Sequence, residues 1–172
     1  AENVTFGAAN RADFAQITLA RNEYFLKFLE QSGLHRLLLN LGARLVRQTV
    51  DILGNLPPDA VFFEQSPMNA DELPDYKIVV DHLRRRGPDD LPLPDRHRLL
   101  NLALRFTPGV HKMAALPTDL QRLLLEARTR FREIISRDLP GVFTFYSKND
   151  YIFSQTILNN IVFGKAKAAT PQ

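Results

Sequence analysis

Four histidines are the side chains of this chain best suited to bind a metal or to transfer a proton near neutral pH. They are His35, His82, His97 and His111. No two of them have the HxxxH spacing that would place both imidazoles on one face of a helix. His82 and His97 flank the loop at 87–94 and could form a metal-binding pair, but the scatter of the four is more typical of structural or surface histidines. We therefore predict no metal site.

A cluster of acidic residues surrounds the loop before the third predicted helix. Its members are Glu64, Asp71, Glu72 and Asp75. A catalytic carboxylate pair needs one member in an apolar pocket, and the sequence around these residues indicates a solvated helix start instead. The serines at 66, 136 and 154 lack the GxSxG setting of a nucleophile, and the chain has no cysteine. We therefore assign no catalytic residue.

Three consecutive arginines, Arg84 to Arg86, form a short basic run. Such a run could bind phosphate or an anionic lipid surface. It falls in the last turn of a predicted helix, where cations complement the helix dipole, so a solvated helix end is the favoured interpretation. The whole chain has 22 basic and 19 acidic residues, interspersed, with a net charge of +3. Nucleic-acid binding needs a clustered basic face, so we predict no nucleic-acid partner.

Helical periodicity dominates the elements that must position these side chains. It predicts helices over 12–31, 34–53 and 71–86, from Asp95 to about 106, and over 117–137. In the first of these helices, Ile17 is one of the apolar residues that recur at roughly helical spacing, and in the third Ile78 is predicted to face inward. The segment VFTFY at 142–146 is rich in strand-forming residues, and 155–163 returns to a helical pattern. The predicted fold class is mainly α: a helical bundle of about five to six helices with one short strand near the C-terminus.

Composition is that of a globular protein, with 45% hydrophobic and 24% charged residues. No stretch approaches 18 apolar residues, so no direct membrane span is predicted. The chain does not begin with Met and opens within a motif, so we expect a piece excised from a longer protein. A lone strand has no ladder partner for its backbone groups, and we therefore expect parts of the terminal segments not to keep their parental conformation.

The pattern NxxFG occurs near both ends of the chain, in AENVTFG at 1–7 and in YIFSQTILNNIVFG at 151–164. The segment VFTFYSKNDYIFSQTILNNIVFG, at 142–164, resembles the Q-loop region of ATP-binding cassette (ABC) exporters. That region has a strand, a glutamine loop, an apolar pair that ends in Phe, and then Thr-Ile-x-x-Asn-Ile-x-Phe-Gly. Ile152-Phe153 matches the apolar pair, and Thr156-Ile157 with the residues at 160–164 matches the rest. Residues 1–7 are similar to the end of the same motif.

The resemblance implies roles for four residues. The Q-loop of the family carries a polar side chain toward the metal ion and the γ-phosphate, and this position falls on Lys148, the implied cofactor-binding residue. A charged lysine donates hydrogen bonds but does not coordinate a metal ion. The aromatic and apolar residues that follow the Q-loop receive the coupling helix of the transmembrane domain. This implies that Tyr151, Ile152 and Phe153 are partner-binding residues.

Other motifs of the family are missing from this sequence. It contains no GxxxxGK followed by Ser or Thr, no Leu-Ser-Gly-Gly-Gln, and no run of four apolar residues that ends in Asp-Glu. The resemblance therefore implies a non-catalytic helical region of an ABC transporter ATP-binding protein, with a structural, coupling or regulatory role. The parent protein would be the ATPase and would bind ATP and Mg²⁺, whereas this region would bind no cofactor. Its partners would be the rest of the ATPase domain and the coupling helix, on the cytoplasmic side of the membrane.

The implied organisation has three parts. Residues 1–11 resemble the end of a Q-loop segment, 12–140 form an inserted helical bundle, and 141–172 form a strand, loop and helix. An alternative is a stand-alone helical adaptor whose grooves bind a partner helix, with a chance likeness to the Q-loop. The sequence leaves both interpretations open.

Overall fold

The computed structural model describes residues 7–56, 63–108, 110–111 and 114–145. These ranges are mainly helical and end in a short strand, which confirms the predicted fold class. Their five α-helices are α1 (Glu23–Gln31), α2 (Leu34–Leu53), α3 (Leu73–Leu83), α4 (Leu93–Arg105) and α5 (Thr118–Asp138). Their two strands are β1 (Gly7–Ala9) and β2 (Phe143–Phe145), and short 3-10 helices span Ala12–Phe14, Leu19–Arg21, Ala70–Glu72 and Pro88–Asp90.

The helix predicted over 12–31 begins only at Glu23. Asn22 is its N-cap, and the Asn22 side chain accepts a hydrogen bond from the backbone N–H of Phe25 at 2.9 Å. Upstream, the hydroxyl of Thr18 donates to the backbone carbonyl of Ala12 at 2.6 Å, a local bond that competes with helix formation. Ile17 lies upstream of this helix and is 78% exposed, so its predicted place in a helix was wrong.

The centre of the bundle is the contact between α2 and α4. The wide apolar stripe predicted α2 with its observed bounds, and that stripe is largely buried against α4. Gly42 of α2 lies directly on the backbone of α4, because a Cβ at this position would stand 2.2 Å from the carbonyl oxygen of Leu99. Glycine thus allows the two helix backbones to approach closely.

A capping box precedes α3. The side chain of Asn69 accepts from the backbone at Glu72, and the Glu72 carboxylate accepts from the backbone N–H of Asn69 at 2.8 Å. In α3 itself, Val79 and Leu83 are buried, whereas Ile78 is 53% exposed, so the prediction that Ile78 faces the core was wrong. The side chains of adjacent helix residues point about 100° apart. The buried face of α3 includes Val79, so Ile78 points toward solvent.

α5 buries one face along its length and leads into the strand pair. Its buried residues are Leu120, Leu124, Ala127, Phe131 and Ile135. After it, β2 pairs antiparallel with β1, so the strand that we expected to lack a ladder partner has one at the other end of the chain. Within the described ranges, no helix is both long enough and apolar enough to cross a lipid bilayer.

Candidate functional site

The four predicted site residues, Lys148, Tyr151, Ile152 and Phe153, lie outside the described residues, as do 1–6 and the predicted helix at 155–163. The structure does describe the residue that ends the N-terminal motif-like segment and the residues that begin the C-terminal one. β1 starts at the last glycine of AENVTFG, and β2 lies within VFTFY at the start of the Q-loop-like segment. We call the region formed by β1, Asn10, β2 and the aromatic rings beneath them the junction.

In the junction, the two ends of the helical body are hydrogen-bonded to each other. Gly7 pairs with Phe145, Ala8 with Thr144, and Ala9 with Phe143. Asn10 extends this pairing, because its backbone N–H donates to the carbonyl of Val142 at 2.8 Å. Its side-chain amide donates to the carbonyl of Gly141 at 2.9 Å and to the Thr144 hydroxyl at 3.0 Å. The two ends of the helical body therefore lie next to each other.

A group of aromatic rings anchors β2 to the helices. The ring of Phe143 lies 5.6 Å from those of Phe14 and Phe131, in edge-to-face arrangements. Phe131 of α5 in turn lies 4.9 Å from Phe28 and 5.7 Å from Phe25, both of α1. Edge-to-face pairs at these distances add to the stabilisation from burial. The junction is therefore packed into the core between α1 and α5.

Polar contacts close the rim of the junction. The hydroxyl of Tyr24 donates to the carboxylate of Asp138 at 3.0 Å, and Arg137 donates to the same carboxylate at 2.8 Å. Burial and the hydrogen bond to Asp138 raise the pKa of Tyr24 to about 12. Arg132 stacks over the ring of Phe145 at 5.2 Å from its centroid. These contacts tie the end of α5 to α1 and to β2.

A second candidate region is a cleft of about 740 Å³ that is partly lined by residues 15–17, the capping box of α3 and the end of α4. Among the described residues that line it, Glu72 and Arg105 are charged, and two hydrogen bonds of 2.7 and 2.8 Å join them. Burial raises the pKa of the Glu72 carboxyl, but the hydrogen bonds from Arg105 and Asn69 and the charge of Arg105 outweigh burial, so the net pKa is lowered. The pair is therefore ionised and mutually neutralised near neutral pH.

His111 also lines this cleft. Its Nδ1 accepts from the backbone N–H of Thr107 at 2.8 Å, and its ring lies 5.8 Å from that of Phe106. Burial and the charge of Arg105 lower its pKa, which leaves a neutral imidazole with its proton on Nε2. The hydroxyl of Ser66 accepts from the backbone N–H of Met68. The cleft therefore offers hydrogen-bonding groups for a polar ligand rather than an activated nucleophile.

The two histidines that flank the 87–94 loop have different surroundings. Nδ1 of His82 lies 2.6 Å from the carboxylate of Asp95, a residue that is only 5% exposed. His97 has arginines as its charged neighbours, and burial followed by their charges lowers its pKa. Within the described residues, no group of three His, Asp or Glu side chains is placed to hold a metal ion. His82 is therefore a structural histidine that links α3 to α4.

From the sequence we predicted that the acidic cluster marks a solvated helix start, and we did not predict the ion pairs that its members form. Glu72 pairs with Arg105, and Asp75 pairs with Arg98 at 3.0 Å. The Asn69-x-x-Glu72 spacing is a readable capping-box signal and could have located Glu72. Its pairing with Arg105, 33 positions away, is a tertiary contact that no local pattern shows.

Comparisons of the chain with protein-family models, with curated proteins and with solved structures find no match.

Proposed function

We propose that this chain is a non-catalytic helical insertion of an ABC transporter ATP-binding protein. The pairing of β1 with β2 is the observation that carries the proposal. It brings the chain that follows the first NxxFG segment next to the chain that enters the Q-loop-like segment. A unit inserted into a host fold needs adjacent ends, because the host elements on either side of it are already close together.

The proposed role is mechanical coupling between the host and the helical body. The aromatic rings of the junction pack β2 against α1 and α5, so a displacement of β2 moves the helices with it. In the parent protein, Tyr151, Ile152 and Phe153 would contact the coupling helix on the cytoplasmic side of the membrane. Lys148 would stand at the sensing position and donate a hydrogen bond to phosphate, while the rest of the ATPase domain would bind ATP and Mg²⁺.

The parent reading frame and its activity test this proposal. We expect a GxxxxGK motif upstream of residue 1 and Leu-Ser-Gly-Gly-Gln downstream of Gly164. The purified parent should hydrolyse ATP, and the 172-residue chain alone should not. A reading frame that encodes neither motif, or steady ATP hydrolysis by the chain alone, would contradict the proposal.

An adaptor that binds a partner helix is a second candidate, favoured by an apolar groove between α2 and α5. The groove has a volume of about 300 Å³ and includes Leu37, Leu41, Leu120 and Leu123. Leu37 is 39% exposed there, although it belongs to the apolar stripe of α2. A reading frame that ends near this chain, with no ATPase motifs, would favour the adaptor over the insertion.

A further inference from the structure

The cleft beside the Glu72–Arg105 pair is bordered by three separate parts of the chain. They are residues 15–17, the segment from Ser66 to Glu72, and residues between Asn101 and His111. Its volume is about 740 Å³. Small-molecule sites in proteins usually have volumes of about 300–1,000 Å³ and tend to be largely formed before the ligand binds. The cleft therefore has the size of a site for a small molecule.

The turn that carries His111 is fixed by its own hydrogen bonds. The backbone N–H groups of Val110 and His111 donate to the carbonyl of Thr107 at 2.9 and 2.8 Å. The backbone N–H of Thr107 in turn donates to Nδ1 of His111 at 2.8 Å. Because Nδ1 accepts here, the neutral imidazole carries its proton on Nε2. Within the described residues Nε2 donates to no protein acceptor, so it is a donor that a ligand can use.

The charged side chains of the cleft neutralise each other. Both carboxylate oxygens of Glu72 accept from Arg105, and one of them also accepts from the backbone N–H of Asn69. The other described residues that line the cleft are uncharged near neutral pH, since burial and the charge of Arg105 lower the pKa of His111. A charged ligand would lose hydration here without meeting an opposite charge. The cleft therefore favours a neutral ligand.

Two exposed aliphatic side chains line the same cleft. Ile17 is 78% exposed and Val110 is 45% exposed, although they come from distant positions in the sequence. Removing such apolar surface from water is favourable in proportion to the area that a ligand covers. The cleft thus combines an unused hydrogen-bond donor with apolar surface that the described part of the protein leaves open to solvent.

We propose that this cleft binds a neutral small molecule that has an apolar ring and a carbonyl acceptor. The ring would cover Ile17 and Val110, and the carbonyl oxygen would accept from Nε2–H of His111. The Glu72–Arg105 pair would select against charged analogues, because it leaves no uncompensated charge to attract them. The proposal is independent of the transporter assignment, since it uses none of the motif residues.

NMR titrations of the ¹⁵N-labelled 172-residue chain at pH 7 test the site with four probes. Benzamide and acetanilide are neutral and carry a ring and a carbonyl, whereas benzoate and benzylammonium carry a similar ring with a negative or a positive charge. We expect both neutral probes to cause saturable shifts of the backbone amides at 16–17, 105–107 and 110–111. Their affinity should be weak, since a ligand of about ten non-hydrogen atoms makes few contacts. Both charged probes should bind about fivefold more weakly or less.

Two matched variants locate the binding. Ile17→Ser should weaken benzamide binding about threefold or more, because it removes apolar surface from the cleft. Ile52→Ser changes the same side chain at a position of α2 that is 60% exposed and does not line the cleft, so it should leave the affinity unchanged. Both substituted side chains are exposed, so both variants should fold. The proposal is overturned if neither neutral probe gives saturable shifts at the cleft, if a charged probe binds there as tightly as benzamide, or if both variants weaken binding equally.

Discussion

At the scale of single residues, Gly42 decides how closely α2 and α4 can pack. A Cβ at this position would meet the carbonyl oxygen and carbon of Leu99 at 2.2 and 2.7 Å, and both are backbone atoms that cannot move aside alone. Alanine would gain about 1 kcal/mol of helix propensity over glycine. Overpacking against backbone costs about 1–3 kcal/mol or more, so the clash should outweigh the gain. We expect Gly42→Ala to lower the free energy of unfolding in urea.

Gly87→Ala is the matched control for Gly42→Ala. Gly87 has a φ of −69°, which any residue adopts, and a Cβ there would meet only the Asp90 carboxylate at 3.4 Å. We expect its unfolding free energy to stay within about 0.5 kcal/mol of the wild type. Equal effects of the two substitutions on the unfolding free energy would show that the close approach of α2 and α4 at Gly42 is not the cause of the loss of stability.

Glu72 should make the stability of the protein depend on pH in the acid range. Its pKa is lowered in the folded state, so its contribution is complete above the unfolded pKa of about 4.3 and is lost as pH falls through the lower folded value. Glu72→Gln removes the charge-assisted bonds to Arg105 and should cost about 1–2 kcal/mol at pH 7. Urea unfolding at pH 7, 4 and 3 should show this difference begin to shrink below about pH 4 and shrink further as pH falls toward the lower folded pKa.

Asp81→Asn is the control for the Glu72 prediction. Asp81 pairs with Arg84 at 2.8 Å, but both side chains are more than half exposed, whereas those of Glu72 and Arg105 are 28% and 18% exposed. Exposed pairs contribute little because solvent screens them. A pH dependence of Asp81→Asn as large as that of Glu72→Gln would mean that burial of the Glu72–Arg105 pair does not strengthen it.

At the scale of elements, Phe143 fastens the strand pair to the helices. Its ring contacts both Phe14 and Phe131, and it is 8% exposed. We expect Phe143→Ala to cost about 3–5 kcal/mol in urea unfolding, because it opens a cavity among these rings. Hydrogen exchange of the Asn10 amide, which donates to Val142, should accelerate. Phe145→Ala, at a half-buried position of the same strand, should have the smaller effect on both measurements.

Elements with a long, regular apolar stripe could be predicted from the sequence, and short ones could not. The stripe over 34–53 predicted both ends of α2, because Gly33 and Gly54 flank it. The prediction over 12–31 was wrong in its first half, where side chains such as Thr18 bond to nearby carbonyls instead of extending a helix. β1 has only three residues, Gly7–Ala9, and no alternating pattern, so its pairing with β2 had no local signal.

The candidate sites were less predictable than the elements. The interpretation of Lys148, Tyr151, Ile152 and Phe153 rests on a motif and stays a prediction, because these residues lie outside the described ones. The spacing of Asn69 and Glu72 was readable as a cap, but the cleft also needs Arg105 and His111 from distant positions. Residues from such distant positions come together only when the helices pack in the folded chain.

At the scale of the whole molecule, the adjacent ends predict that residues 7–145 can be inserted into another protein without unfolding it. Gly7 and Phe145 are paired partners, and paired residues in antiparallel strands have Cα atoms about 5 Å apart. A surface loop of a host protein can bridge that gap. A segment whose two ends were not held together would instead act as a long flexible loop, and closing that loop would cost the host folding free energy. The same property is what the proposed insertion in an ATPase requires.

The insertion experiment has a built-in spectroscopic probe, because this chain contains no tryptophan. Residues 7–145 are placed in a surface loop of a tryptophan-containing host, and tryptophan fluorescence then reports on the host alone. We expect the urea midpoint of the host to stay close to that of the uninserted protein. The Phe143→Ala insert should lower it, since a loosened strand pair lets the ends separate and leaves a long flexible loop in the host. If the wild-type insert lowers the host midpoint as much as Phe143→Ala does, the pairing of β1 with β2 does not hold the two host segments together, and the geometric basis of the proposed insertion is lost.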